Sequence, residues 1–569
     1  MNYFKVPTFL VQCIILLHCV IFSLVSAFAD SSVSSSFPPP AVITSVLSFR
    51  KHPYLSQTIS ESEQVALKRL YFESPQPLLW LSRDDLHTHA AEVFRLLESA
   101  PDSGLPIAVY DVDNLKTKWR QLQGKQPANN FELTLLDTAL SLSTLRYLSD
   151  VHRGRIDRKN ERFGFWRATD YDLLLGFLID AVRNVQITQL TERVEPNWSS
   201  YRRLKQALRH YRELARNFRF PSLVFEGMLE EGDSDPQIPL LRHKLQVLGL
   251  LHDYADLSDI YRGEMVDALK HFQRLHGLND DGIVGEKTLA ALNTPLTERV
   301  RQIELALERM RWLPELHQGQ GLILVNIPAF RLWAYQAGNL NGPSDLSMKV
   351  VVGIAKKNQT PVFMADLAYL EFRPYWNVPK NITYKEILPS LLKNPDYLEQ
   401  QNMELVQYFS VNAEPQRLTE DSLQLLRQGA MKIRQRPGPK NSLGLVKFIF
   451  PNRYDVYMHD TPAKKLFLSE RRDYSHGCIR VEQPRALAQF VLSSRGGWRR
   501  EEIQEAMREG DNRRVFVRNA IAVLIFYSTA MAIDNEIYFF DDVYNYDERL
   551  NQALYPAKGE AASLTASTQ

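Results

Sequence analysis

The sequence predicts a multidomain α+β protein: a mainly helical scaffold region, a small three-helix module, and a β-rich C-terminal domain carrying a helical insertion. Three observations carry that reading. At 569 residues the chain is longer than one hydrophobic core serves. Apolar residues recur with helical spacing as far as about residue 312, then give way to short runs dense in β-branched and aromatic residues. Glycine, proline and asparagine turns separate those later runs. A formal charge of +2 speaks against nucleic acid or an acidic polymer as partner, and 44% apolar residues is ordinary for a folded domain.

Residues 1–29 stand apart. Lys5 precedes an apolar run from Val6 to Ala29 that ends in Ala27-Phe28-Ala29 before Asp30, the small-x-small pattern of a secretory signal. Residues 6–29 are also long enough to anchor the chain in a bilayer if they stay uncleaved. On either reading the body is exported, and the membrane is touched through this segment alone. Residues 30–50 read as a flexible linker, with Ser31–Pro40 of low complexity.

Residues 51–236 read as the helical scaffold. Asp84 and Asp85 are placed to cap a helix whose Leu86, Ala90, Val93, Phe94 and Leu97 share one face. Tyr201, Leu204, Leu208, Tyr211 and Leu214 mark another. Its Arg202, Arg203, Lys205, Arg209 and Arg212 read as a solvated face rather than a polyanion site. No catalytic constellation occurs here.

Residues 237–296 form the three-helix module, from Leu240, Leu241, Leu245 and Leu248 to the closing Asp281-Gly282-Ile283-Val284-Gly285 turn and the helix bearing Thr288 and Leu292. Residues 297–320 hold a linking helix, with Val300, Ile303, Leu307 and Met310 on one face. The β-rich domain spans 321–543, with strands expected at 322–327, 330–335, 348–353, 368–372, 445–450, 455–459, 514–517, 521–527 and 537–540. Its insertion, about 380–434, reads as helical and placed to cover a site as a lid. Pro484 starts a helix to Ser494, and 544–569 reads as a tail.

The chemistry concentrates at Tyr457-Met458-His459 and Ser475-His476-Gly477-Cys478-Ile479-Arg480. The other two cysteines, Cys13 and Cys19, lie in the leader, so Cys478 is the single thiol of an exported body and has no partner for a disulfide. A histidine that takes or holds the thiol proton makes such a cysteine a nucleophile. His459 ends one expected strand and Cys478 opens the next element, so two strand ends can bring them together. Gly477 lets the backbone turn the Cys478 N–H toward a developing oxyanion. A buried structural thiol and a three-ligand zinc site of His459, His476 and Cys478 stay open on the residues alone, although no CxxC or HExxH spacing supports the metal.

His459 followed after fifteen residues by Ser475-His476-Gly477-Cys478-Ile479-Arg480 resembles the signature of the L,D-transpeptidases, cysteine enzymes that cross-link bacterial peptidoglycan. The likeness extends to Arg373-Pro374-Tyr375-Trp376-Asn377-Val378-Pro379, Arg436-Pro437-Gly438-Pro439, His459-Asp460-Thr461-Pro462 and Tyr527-Ser528-Thr529-Ala530, as in the large, capped Gram-negative branch. The 237–296 module resembles the peptidoglycan-binding type 1 module of cell-wall enzymes. The resemblance implies Cys478 as nucleophile and His459 as general base. It implies an oxyanion pocket from Gly477 and Cys478 N–H groups with Tyr457, and supporting roles for Ser475 and His476. Arg480, Tyr375 and Trp376 would meet substrate. Because neighbours on a strand face opposite ways, a backbone carbonyl is expected to orient His459 in preference to the Asp460 side chain. The resemblance further implies a periplasmic enzyme of cell-wall biogenesis and cell shape, no cofactor or metal, stem peptides and glycan as partners together with wall-synthase or activator proteins, and acylation by carbapenems. An L,D-carboxypeptidase, a lipoprotein-attaching enzyme and a non-catalytic wall-binding scaffold are the competing readings.

Overall fold

A computed structural model describes residues 40–74, 77–81, 89–124, 129–156, 164–252, 258–317, 319–493 and 498–555. The leader, Asp84, Asp85, Leu86 and the last fourteen positions lie outside them. Among the described residues no helix is long and apolar enough to cross a membrane. The chain divides into two compact units, one of Met1–Glu98, Ile107–Tyr147 and Tyr171–Leu190, the other of Ser99–Pro106, Leu148–Asp170 and Thr191–Gln569.

The first unit is helical. The stretch read as a linker already contains a helix, Pro40–Val46, because proline suits a first helical position and Val46 and Leu47 then find burial. Helix Glu61–Glu73 begins with a capping box between Ser60 and Glu63. Helix Ala90–Glu98 buries Ala90, Val93, Phe94 and Leu97 as their spacing predicts. The long helix Asn130–Arg153 carries Asp137, fully buried, whose carboxylate accepts from Tyr71 Oη at 2.5 Å and from the N–H groups of Leu79, Trp80 and Leu81 at 3.0, 2.8 and 3.0 Å. One acidic side chain thereby terminates the backbone of a whole loop.

The second unit holds the rest. In helix Ser199–Asn217 the basic face is less solvated than expected: Lys205 pairs with Glu195 and Arg212 with Glu304 at 2.6 Å, both largely buried. The module packs helices Ile238–Val247, Glu264–Leu275 and Glu286–Asn293 around Leu241, Leu245, Leu269 and Phe272. Buried Gln273 ties its closing turn by accepting from the Gly282 N–H at 2.8 Å and donating to the Ile283 carbonyl at 2.9 Å. Helix Leu296–Arg311 follows.

Sixteen strands follow among the described residues. They are β1 Gly321–Asn326, β2 Arg331–Tyr335, β3 Leu346–Gly353, β4 Phe363–Asp366, β5 Tyr369–Phe372, β6 Trp376–Asn377, β7 Met403–Val406, β8 Lys432–Gln435, β9 Val446–Ile449, β10 Met458–His459, β11 Asp473–Ser475, β12 Ile479–Val481, β13 Arg513–Phe516, β14 Ile521–Phe526, β15 Ala530–Ile533 and β16 Glu536–Phe539. The main sheet runs β13-β5-β9-β10-β12-β3-β2-β1-β14-β4, with β11 beside β3. β4 and β5 are consecutive in sequence yet lie at or next to opposite ends of that order, as do β13 and β14, so the sheet curls on itself around one apolar core. Helix Pro484–Leu492 closes that core with Leu487, Phe490 and Val491.

The insertion is not purely helical. Together with β6, just before it, it forms a three-stranded sheet, β6-β8-β7, with short helical segments packed on it around Leu391, Leu405, Leu426 and Ile433. These strands have two to four residues, too few for alternation to show in sequence. Nor is 544–555 a tail. Helix Tyr546–Leu554 buries Leu550, and its first N–H groups, Tyr546 and Asp547, are capped by the Asp542 carboxylate at 2.8 and 2.9 Å.

Candidate active site

Strand register assembles the site. β10 and β12 run parallel with Met458 opposite Ile479 and His459 opposite Arg480, while antiparallel β9 sets Lys447 opposite His459. Alternation then puts Met458, Ile479 and Val481 into the core, where all three are fully buried. On the other face it puts Tyr457, His459, Arg480 and Lys447, with Cys478 just before β12 on the same side. His459 and Cys478, nineteen positions apart in sequence, come to share this face because two short parallel strands start level.

Cys478 is a free, half-buried thiol whose Sγ lies 3.9 Å from the Asp455 carbonyl. Burial pushes its pKa up, while hydrogen bonding from Tyr457 and the charges of Lys447 and Arg480 pull the other way. His459 is buried, with Nδ1 2.6 Å from the backbone carbonyl of Asp460. A carbonyl only accepts, so Nδ1 carries the proton and Nε2 keeps its lone pair. Burial first, and the Arg480 guanidinium second, lower the His459 pKa to about 3, so the ring is neutral at ordinary pH. The Asp460 carboxylate faces away from it, accepting from Leu445 N–H at 2.8 Å, Thr461 N–H at 2.7 Å and Lys464 Nζ at 2.7 Å.

The turn before the thiol is held from several sides. Gly477 has φ +117°, a conformation side chains disfavour, and its carbonyl accepts from Thr360 Oγ1 at 2.8 Å. Thr360 Oγ1 in turn accepts from the Gly353 N–H at 2.9 Å, and Tyr544 Oη donates to the Gly353 carbonyl at 2.6 Å. A Cβ at Gly353 would sit 1.9 Å from the Asn358 carbonyl oxygen, so only glycine fits there. Ser475 Oγ donates to the Cys478 carbonyl at 2.6 Å and accepts from the Gly477 N–H at 3.1 Å. That last bond corrects one expectation: the Gly477 N–H is occupied by Ser475 and is not free to hold an oxyanion.

Residues 320–517 match the family model described as the L,D-transpeptidase catalytic domain. The chain carries an L,D-transpeptidase catalytic domain. Residues 65–208 match a scaffold domain and 234–292 a peptidoglycan binding domain. A Haemophilus influenzae protein named "Putative L,D-transpeptidase" is 28% identical over 253 residues, covering 44% of this chain and 49% of its own. The chain thus matches about half the length of that curated relative. Among solved structures, an L,D-transpeptidase from Stackebrandtia nassauensis is 13% identical with a TM-score of 0.23, and one from Xylanimonas cellulosilytica 15% with 0.17. They cover 56% and 53% of this chain and all of their own.

Within the L,D-transpeptidase domain the insertion reaches the signature directly. His476 Nε2 lies 2.8 Å from Glu386 Oε1, on a π-helical turn, Thr383–Ile387. Tyr375 and Trp376 lie beside the insertion, each half-buried. Tyr375 stacks under the Arg434 guanidinium at 4.4 Å, and Trp376 pairs with Gln435 in β8 and packs on the insertion's core. Lys447, Asp455, Thr360, Glu386 and Tyr544 went unread in the sequence. They reach the site by register, by a carbonyl, or from elements far along the chain, and none belongs to a recognisable spacing. Among the described residues no group of three or more His, Cys, Asp or Glu is placed to hold a metal.

Proposed function

We propose that this protein is a peptidoglycan L,D-transpeptidase that joins diaminopimelate to diaminopimelate through a Cys478 thioester. The observation that carries this reading is one sheet face bearing a free thiol, Tyr457, Arg480 and a histidine held neutral with Nε2 available. The Cys478 proton passes to His459 Nε2, and sulfur attacks the carbonyl of the third residue of a tetrapeptide stem. Collapse of the tetrahedral adduct breaks the bond to the terminal D-alanine, whose amine takes the proton from His459, leaving a thioester. The side-chain amine of a second stem attacks that thioester, forms the 3→3 amide and returns the thiol. The Cys478 N–H and the Tyr457 hydroxyl are the donors this reading assigns to the oxyanion, with Gly477 shaping the turn. Arg480 is assigned to a substrate carboxylate. The insertion, clasped at His476 by Glu386, excludes water in favour of the amine. The binding module offers glycan a second hold, and the work of such an enzyme lies outside the cytoplasm, in a periplasm, on the wall.

The full chain and Cys478→Ala should be incubated with disaccharide-tetrapeptide and the products weighed by mass spectrometry. A cross-linked dimer that has lost one D-alanine, absent with the variant, supports transpeptidation. Tripeptide without dimer would instead make the enzyme a carboxypeptidase, and no turnover with intact sacculus binding would leave a wall-binding scaffold.

A further inference from the structure

Lys447 has no place in the signature, yet it stands on the reactive face. It sits opposite His459 in the β9–β10 pair, and its Nζ lies 4.0 Å from the centre of the Tyr457 ring. Glu371 is its cross-strand neighbour on the other side, in β5. That carboxylate is already engaged, accepting from Asn512 Nδ2 at 3.1 Å and pairing with Arg514 at 3.6 Å. Among the described residues no carboxylate lies within ion-pair distance of the Lys447 ammonium. Burial and Arg514 lower its pKa, whereas Glu371 and the Cys478 sulfur favour its charged form. A partly desolvated cation without a counter-ion, set over an aromatic ring, is held where it serves a charge that forms nearby.

We infer that Lys447 is a positioning residue for the nucleophile: its ammonium, seated on the face of Tyr457, fixes the phenol as a donor toward Cys478 and favours the thiolate over the thiol. Arg480 is the second cation of the same face, with a buried Nε that finds no hydrogen-bond acceptor among the described residues. The groups around the sulfur are then Tyr457, just before β10, Lys447 from β9, Arg480 from β12 and the Asp455 carbonyl, with His459 beside Arg480 on the same face and Glu371 farther along the row. The Tyr457 main-chain N–H, the two cations and the phenol all favour negative sulfur. A neutral His459 supplies no charge to hold a thiolate, so the two cations take over the work that an imidazolium does in a thiolate–imidazolium pair. This assignment rests on Cys478 being the nucleophile, and it holds for any acyl acceptor.

The test reads sulfur alone. The full chain, Lys447→Met and Lys447→Arg are alkylated with iodoacetamide across pH 5 to 11, and the Cys478 peptide is quantified by mass spectrometry. Alkylation forms an S–C bond and expels iodide, so its rate follows the thiolate fraction. Loss of the ammonium should raise the apparent thiol pKa by about one unit, slowing the reaction at pH 7 about tenfold while the alkaline plateau stays put. Lys447→Arg should track the wild type. An unchanged profile in folded Lys447→Met overturns the assignment. If that variant does not fold, Lys447→Gln replaces it under the same criterion. No peptidoglycan is present, so failure here is separate from failure of the transpeptidation assay.

Discussion

Asp137 in the helical unit and the Cys478 face in the catalytic domain are both buried polar sites, and they use their atoms in opposite ways. Asp137 spends its carboxylate on four donors, three of them backbone N–H groups of one loop. At the Cys478 face, among the described residues, Lys447 has no counter-ion and the Arg480 Nε finds no acceptor, while His459 commits Nδ1 to a carbonyl. A buried group whose bonding capacity is exhausted is architecture. One whose capacity is left open is poised for something that arrives later.

The largest effect that would sharpen this contrast is at sulfur. Cys478→Ala should lower turnover of a tetrapeptide stem by about 10⁴-fold with an unchanged melting temperature. Equal loss of stability would place Cys478 with Asp137 on the structural side. His459→Gln should follow at about 10²–10⁴-fold, again without unfolding. Asp137→Ala should do the reverse. It orphans three buried N–H groups, so urea denaturation should report about 2–4 kcal/mol of lost stability, with the iodoacetamide rate of Cys478 in the folded protein unmoved.

Acid separates the regions next. Burial raises the Asp137 pKa from 3.8 to about 6, so its contribution to stability is present below about 4 and is lost as pH rises through 6. His459 is lowered from 6.5 to about 3, so the unfolded state binds its proton more readily, and stability is lost as pH falls from 6.5 toward 3. Hydrogen exchange at pH 6.5 and at pH 4.5 should therefore show protection gained around residues 79–81 and lost around β10. Like-signed changes would break the comparison. The smallest effect belongs to Glu386→Gln. This pair with His476 is substantially exposed, so its loss should raise KM for the stem peptide severalfold at most, under about 1 kcal/mol, and leave kcat near wild type.

Much of the architecture was legible in the chain. Helical spacing marked Ala90, Val93, Phe94 and Leu97, and proline marked the start at Pro484, because these signals are local and repeat over several turns. The insertion's small sheet and the helix Tyr546–Leu554 escaped. Strands of two to four residues carry no readable period, and that helix is held by distant groups: Asp547 bonds Arg309 and Thr529. The site divides in the same way. The sequence by itself determined that one thiol would stand beside a histidine, a glycine turn and an arginine, since all lie within two short stretches. Only the tertiary structure decided which groups serve that thiol. It spent the Gly477 N–H on Ser475, set Tyr375 under Arg434, and brought Tyr544 and Thr360 beneath the turn. It also set Lys447 over Tyr457. The physical reason is that cross-strand register and hydrogen-bond competition are settled between segments, and no single segment carries the information about which of its donors another will claim.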